Sequence, residues 1–191
     1  MATDFTPLEI PDVLLIRTTR HIDERGYFSE TYRKSAFTTI NTEFVQDNFV
    51  SSNHRVLRGL HFQLPPNAQG ILVRVVRGVM FDVAVDLRAG SDTFSLWVGI
   101  QMSSEQEAQL YIPPGFAHGY LVLSELGADV TYKTTQEYDP SLERGIKWDD
   151  PELAIRWPIS DPILSHKDQG LPTLAQSDLS AYSNYREPGT G

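Results

Sequence analysis

The chain contains no cysteine, which excludes disulfides, thiolate zinc sites, iron–sulfur clusters and a cysteine nucleophile. It is also short of cations, with 16 Lys and Arg against 25 Asp and Glu, a formal charge of −9. That balance argues against a general nucleic-acid or anionic-membrane binder. No apolar run approaches the ~18 residues of a membrane helix. The first twenty residues have no charged stretch leading into an apolar one. The chain is therefore expected to be soluble and cytoplasmic. Helical signal is thin too. Ser35 to Thr39 and Ser104 to Gln109 could each form one or two turns, the latter capped by Ser103 or Ser104. A parallel βαβ architecture needs helices that this pattern does not supply. There is no repeat, no low-complexity block and no Gly-rich dinucleotide fingerprint.

What is present is strand signal. At ~150 residues per domain, 191 residues predict a single domain over 1–191, long enough to bury roughly two-thirds of its unfolded surface. Pro11 to Ile16 opens the fold, and Gly26 to Tyr32 follows the turn-like Asp-Glu-Arg-Gly. Ile71 to Arg77 is β-branched and ends at Gly78. Val79 to Leu87 and Phe94 to Met102 read apolar/polar in near alternation, and Leu110 to Ile112, Gly119 to Leu123 and Val130 to Thr135 continue the pattern. Strands recurring at this spacing, with Gly, Pro, Asn and Asp between them, predict an all-β antiparallel sandwich or barrel. The C-terminal third is loop-rich, carrying Pro140, Pro151, Pro158, Pro162 and Pro172, and its final stretch from Ala181 reads as a loose tail.

Three polar clusters interrupt the apolar strands: Leu57 to Gln63 (LRGLHFQ), Pro113 to Tyr120 (PPGFAHGY) and Val130 to Lys133 (VTYK). In a regular strand Arg58, Leu60 and Phe62 share one face, and His61 and Gln63 the other. Each residue has a plain reading. A strand histidine is more often hydrogen-bonded scaffolding than a base, a lone Tyr132 is core packing with a satisfied hydroxyl, and Arg58 could be a structural ion pair. A metal on His61, Gln63 and His118 is a further reading. It is weakened by the lack of any His-x-His pair and of a carboxylate shortly after His61.

LRGLHFQ, LVRVVRG, FDVAVDLR, IPPGFAHGYLVLSE, YKTT, GIKWDDP and LSHKD, in this order, resemble the dTDP-4-dehydrorhamnose 3,5-epimerase family. The resemblance runs from Pro11 to about Pro172. It implies a jelly-roll of the cupin superfamily with short peripheral helices. It also implies a cofactor-free, metal-free epimerase acting on a dTDP-linked 4-keto-6-deoxyhexose, whose product dTDP-4-dehydro-L-rhamnose feeds rhamnose synthesis. Carried over residue by residue, it makes His61 the general base, Asp168 its orienting carboxylate and Tyr132 the general acid. Arg25, Glu30, Gln46, Asp47 and Asn48 are implied to contact the nucleotide. Arg58, His118, Glu143 and Lys167 complete the implied substrate-contacting set. Dimers with exchanged N-terminal strands are also implied, so that Arg25 and Glu30 serve the neighbour's site.

The chemistry fits those residue types. Protons at C3 and C5 flank the C4 carbonyl, so removing either gives an enolate. Inverting a carbon takes a proton from one face and returns one to the other, which requires a base and an acid on opposite sides. Histidine suits the first role when a carboxylate fixes its tautomer. Tyrosine, with pKa ~10, is protonated at neutral pH and can donate. One position departs from the family pattern. Where members carry a lysine after Gln-Gly, this chain has Ile71. Losing one donor to a developing oxyanion costs ~10²–10³ in rate unless another group supplies it. Three readings stay open: a different donor, a single-centre epimerase on another ketosugar nucleotide, or a binding homologue with weak or no turnover.

Overall fold

The computed structural model describes residues 3–40 and 42–182. Its strands are β1 (Thr3–Pro7), β2 (Leu14–Thr18), β3 (Arg20–Asp23), β4 (Gly26–Ser29), β5 (Gln46–Ser52) and β6 (Leu57–Gln63). They continue with β7 (Ile71–Arg77), β8 (Val79–Asp86), β9 (Trp97–Ser103), β10 (Ala108–Ile112), β11 (Phe116–Val122), β12 (Ala128–Thr134) and β13 (Glu143–Gly145). One short helix, α1 (His166–Gln169), and three 3₁₀ turns complete the described elements. Two sheets face each other, ordered β1-β2-β10-β7-β12-β5 and β13-β6-β11-β8-β9, with β3 and β4 as a separate hairpin. Every ladder between these strands is antiparallel. This is the expected all-β jelly-roll.

Alternation along each strand builds the core between the sheets. Val73, Val75 and Val130 from one sheet pack against Met80, Ala84, Phe116 and Val122 from the other. The outer faces are covered as well. Leu153, Leu174 and Tyr182 from the C-terminal segment lie over Leu60, Val83 and Val85, and Phe37 lies over Ile16, Leu72 and Tyr111. Strands covered on both faces need not alternate. This is why β8 and β10 are buried almost throughout, and why the polar positions of Val79 to Leu87 do not reach solvent: Asp82 and Asp86 are both fully buried.

Several local expectations need correction. Ser104 to Gln109 is not a helix. It is a turn in which Gln106 accepts the Ser103 backbone N–H, and Ala108 already starts β10, where burial on both faces favours a strand. The Ser35 segment gives only the 3₁₀ turn Lys34–Ala36. The strand pattern also missed β1, β3, β5 and β13, which are short or polar. Tyr182 is no loose tail, because it is buried and its hydroxyl donates to the Gln63 carbonyl at 2.5 Å. The expected tail from residue 183 onward lies outside the described residues.

The irregularity that matters most is in β6. Arg58 and His61, three apart, oppose Tyr120 and His118, two apart, on β11. One extra residue reverses the facing parity of a strand, so Arg58 and His61 share a face. The regular-strand expectation that separated them is therefore wrong. Gly59 makes the bulge possible: its φ is +124°, and a Cβ there would lie 2.5 Å from the Gly119 Cα. Backbone in that region costs a non-glycine residue ~1–3 kcal/mol before the clash is counted. Gly59→Ala is expected to lower unfolding stability by about 3 kcal/mol or more, read as a shift of the urea midpoint.

Candidate active site

A cavity of about 220 Å³ opens between the sheets. One wall, from β6 and β11, presents Arg58, His61, Phe62, Phe116, His118 and Tyr120. The facing wall, from β5, β7 and β12, presents Val50, Ile71, Val73, Val130 and Tyr132. A second cavity lined by Gln46, Asn48 and Thr134 shares Gln69, Tyr132 and Tyr138 with the first. The first alone is smaller than the ~300–1,000 Å³ of pockets that enclose a drug-sized ligand. Through these shared residues the two adjoin as one groove.

His61 lines the first cavity with its Nε2 2.6 Å from Asp168 Oδ1, the carboxylate only 4% exposed. Asp168 is delivered by α1, whose N-cap Ser165 accepts the Asp168 backbone N–H. Burial pushes the Asp168 carboxyl upward, but its bonds with His61 and Ser165 outweigh this and hold it below the usual carboxylate range. An ionised Asp168 bonded to Nε2 leaves Nδ1 as the unshared nitrogen of a neutral His61. Tyr132 stands on the opposite wall. Burial raises its phenol, the Arg58 charge opposes the rise, and Glu143 adds to it. Tyr132 is thus expected to titrate above ~10, the ordinary tyrosine value. Carbon-13 NMR of ring-labelled tyrosine checks this by placing its midpoint past that of exposed tyrosines.

Glu143 lies on β13 beside β6, opposite Gln63. It pairs with Lys167 at 2.5 Å and accepts from the Tyr138 hydroxyl at 2.6 Å. Burial raises the Glu143 carboxyl, but Lys167 and Tyr138 outweigh it, so Glu143 is held low and charged. Gln63, expected on the His61 face, is buried and works as scaffolding. Its amide donates to the Asn67 and Glu137 carbonyls and accepts the Asp139 N–H, fixing the loop that presents Tyr138. Arg58 is steadied by Ser52, whose hydroxyl accepts from Nε at 3.0 Å.

Not every expected residue arrives here. Gln46 and Asn48 line the groove, but Asp47 between them points to the other face of β5 and pairs with Lys133, as strand alternation requires. Arg25 lies in the β3–β4 turn against Asp23, and Glu30 pairs with Arg33; neither lines the cavities of its own chain. Sequence reasoning missed Tyr138 and Asp82, the latter 2.9 Å from His118 Nε2. An aspartate in the apolar run VMFDVAVDL was the one available signal for Asp82. Among the described residues, no group of three His, Asp or Glu side chains is placed to hold a metal ion.

Comparison with known proteins decides the lineage. The profile of the dTDP-4-dehydrorhamnose 3,5-epimerase family matches residues 7–176. The chain belongs to this family. It is an epimerase of the family's kind, and the alternative of a non-catalytic binding homologue is not supported. The dTDP-4-dehydrorhamnose 3,5-epimerase of Shigella flexneri is 51% identical over 163 residues, covering 84% of this chain and 90% of that protein. The dTDP-4-dehydrorhamnose 3-epimerase of Streptomyces niveus is 37% identical over 174 residues, covering 90% and 84%. Among solved structures, the dTDP-6-deoxy-D-glucose-3,5-epimerase of Legionella pneumophila Philadelphia 1, in complex with dTDP-4-keto-L-rhamnose, superposes with a TM-score of 0.92. It is 41% identical, and the match covers 97% of this chain and all of that one. Among the described residues of this family member, no helix is long and apolar enough to cross a membrane.

Proposed function

We propose that the chain inverts C3 and C5 of dTDP-4-dehydro-6-deoxy-D-glucose, giving dTDP-4-dehydro-L-rhamnose, through an enolate and without a cofactor. The observation that carries this reading is His61, bonded to a buried Asp168, facing Tyr132 across one cavity. A ketosugar lying between them has the base on one face and the acid on the other. His61 Nδ1 takes the α-proton, Asp168 stabilises the imidazolium, and Tyr132 returns a proton from the far side. The groove over Gln46, Asn48 and Tyr138 takes the nucleotide, and Arg58 suits its pyrophosphate. Action at both carbons is favoured by the greater identity to the Shigella 3,5-epimerase than to the Streptomyces 3-epimerase.

The assembly is a dimer that completes each groove with the neighbour's hairpin. Ile22, Tyr27 and Phe28 on β3 and β4 are 78%, 54% and 61% exposed, an apolar surface that a second copy would cover. Arg25 and Glu30 at the same hairpin would then reach the neighbour's nucleotide. The reading also sets the chain in the cytoplasm, with the nucleotide sugars it acts on.

Proton NMR of dTDP-4-keto-6-deoxyglucose with the enzyme in D₂O tests the proposal. Loss of the C3 and C5 proton signals, with new couplings of the inverted ring, is the expected result. Unchanged signals would overturn it.

A further inference from the structure

The cavity holds a second imidazole–carboxylate pair. His118 Nε2 lies 2.9 Å from Asp82 Oδ1. Asp82 is fully buried, and its Oδ2 has no hydrogen-bond partner among the described residues. A buried carboxylate with a bare oxygen is costly unless a counter-charge stands beside it. Packing does not call for an acid here, because Met80 and Ala84, its neighbours on the same face of β8, are ordinary core residues.

The position of the pair is telling. His118 and His61 are direct register partners across β11 and β6, so their Cβ atoms stand ~4.5–5.5 Å apart, and both side chains line the cavity. A carbon presented to His61 therefore carries its neighbouring carbonyl within reach of His118. The facing wall at Ile71 and Val73 has no donor to offer. Arg58 is one step further along β6, opposite Tyr120, with its Nε engaged by Ser52.

We infer that His118, held by Asp82, donates the hydrogen bond to the substrate's carbonyl oxygen as it becomes an enolate, in place of an ammonium at position 71. The inference rests on the epimerase reading above. In the step, the α-proton moves to His61. The C–H electron pair forms the C=C bond, and the carbonyl π pair moves to oxygen. His118 donates from Nδ1 while its Nε2–H stays on Asp82, so the ring carries both protons and Asp82 supplies the counter-charge. No proton leaves His118, and it is unchanged when Tyr132 protonates the opposite face. Asp82 is a positioning residue, acting through His118.

The test measures deuterium uptake at C3 and C5 for wild type, Asp82→Asn and His118→Asn, each with and without Ile71→Lys. Both single variants are expected to lose 10²–10³ in kcat, with KM and dTDP affinity within a few-fold. Adding Ile71→Lys is expected to restore His118→Asn at least 10-fold. Nitrogen-15 NMR of the wild type, which needs no variant, is expected to show His118 protonated at both Nε2 and Nδ1. Variants with unchanged kcat, a loss confined to KM, no rescue by Ile71→Lys, or a wild-type His118 lacking either ring proton would each overturn the inference. If Asp82→Asn fails to fold, His118→Asn and the nitrogen spectrum decide. A wild type without deuterium uptake overturns the epimerase reading itself, whereas an exchanging wild type beside fully active variants overturns this inference alone.

Discussion

His61→Asn is expected to abolish deuterium uptake at both carbons, a fall of about 10²–10⁴ or more, while dTDP still binds. An amide cannot accept the α-proton. Asn is shorter than His, so the replacement adds no bulk next to the bulge, and the groove over Gln46 and Asn48 is left intact. Asp168 would lose its partner yet keep its bond to Ser165. Deuterium NMR gives the exchange rate, and titration calorimetry with dTDP gives the binding. Exchange at either carbon at the wild-type rate would show that another group is the base. Loss of dTDP binding would instead mean that the fold around the groove had changed.

Tyr132→Phe separates the two halves of the reaction. Without the phenol, His61 can still remove a proton and return a deuteron to the same face. Uptake is therefore expected to persist in part, while inversion falls by about 10²–10⁴. The substitution removes only a hydroxyl from a side chain packed against the intersheet core, so folding should be kept. The measurement is the ratio of deuterium incorporation to formation of the inverted sugar. In the wild type each inversion carries a deuteron, and in the variant incorporation outruns inversion. Equal loss of both would mean that Tyr132 helps form the enolate rather than quench it.

Much of this was legible along the chain. Ile71 to Arg77 coincides with β7, and the antiparallel all-β class followed from strand spacing with few helical patterns. Those readings succeed because period-two patterning is local. His61 and Tyr132 stood out as polar residues in apolar strands, but their roles, and Asp168 altogether, were legible only through family resemblance. Nothing in their spacing of 71 and 36 residues along the chain ties them to one another. His61 meets Asp168 because β6 runs beside the segment carrying α1. Tyr132 faces them because β12 lies in the other sheet.

Sequence by itself determined the fold class, the absence of thiol chemistry, the acidic balance and the residue types available for acid–base work. Only the tertiary structure decided which side chains share the cavity. The bulge at Gly59 swung Arg58 onto the face of His61, strand alternation sent Asp47 away from Gln46 and Asn48, and the covering C-terminal segment helped turn an alternating strand into a buried one carrying Asp82. In each case the cause is a pairing between residues far apart in the chain. A strand's own pattern specifies its two faces, while the partner strand's register determines what those faces meet.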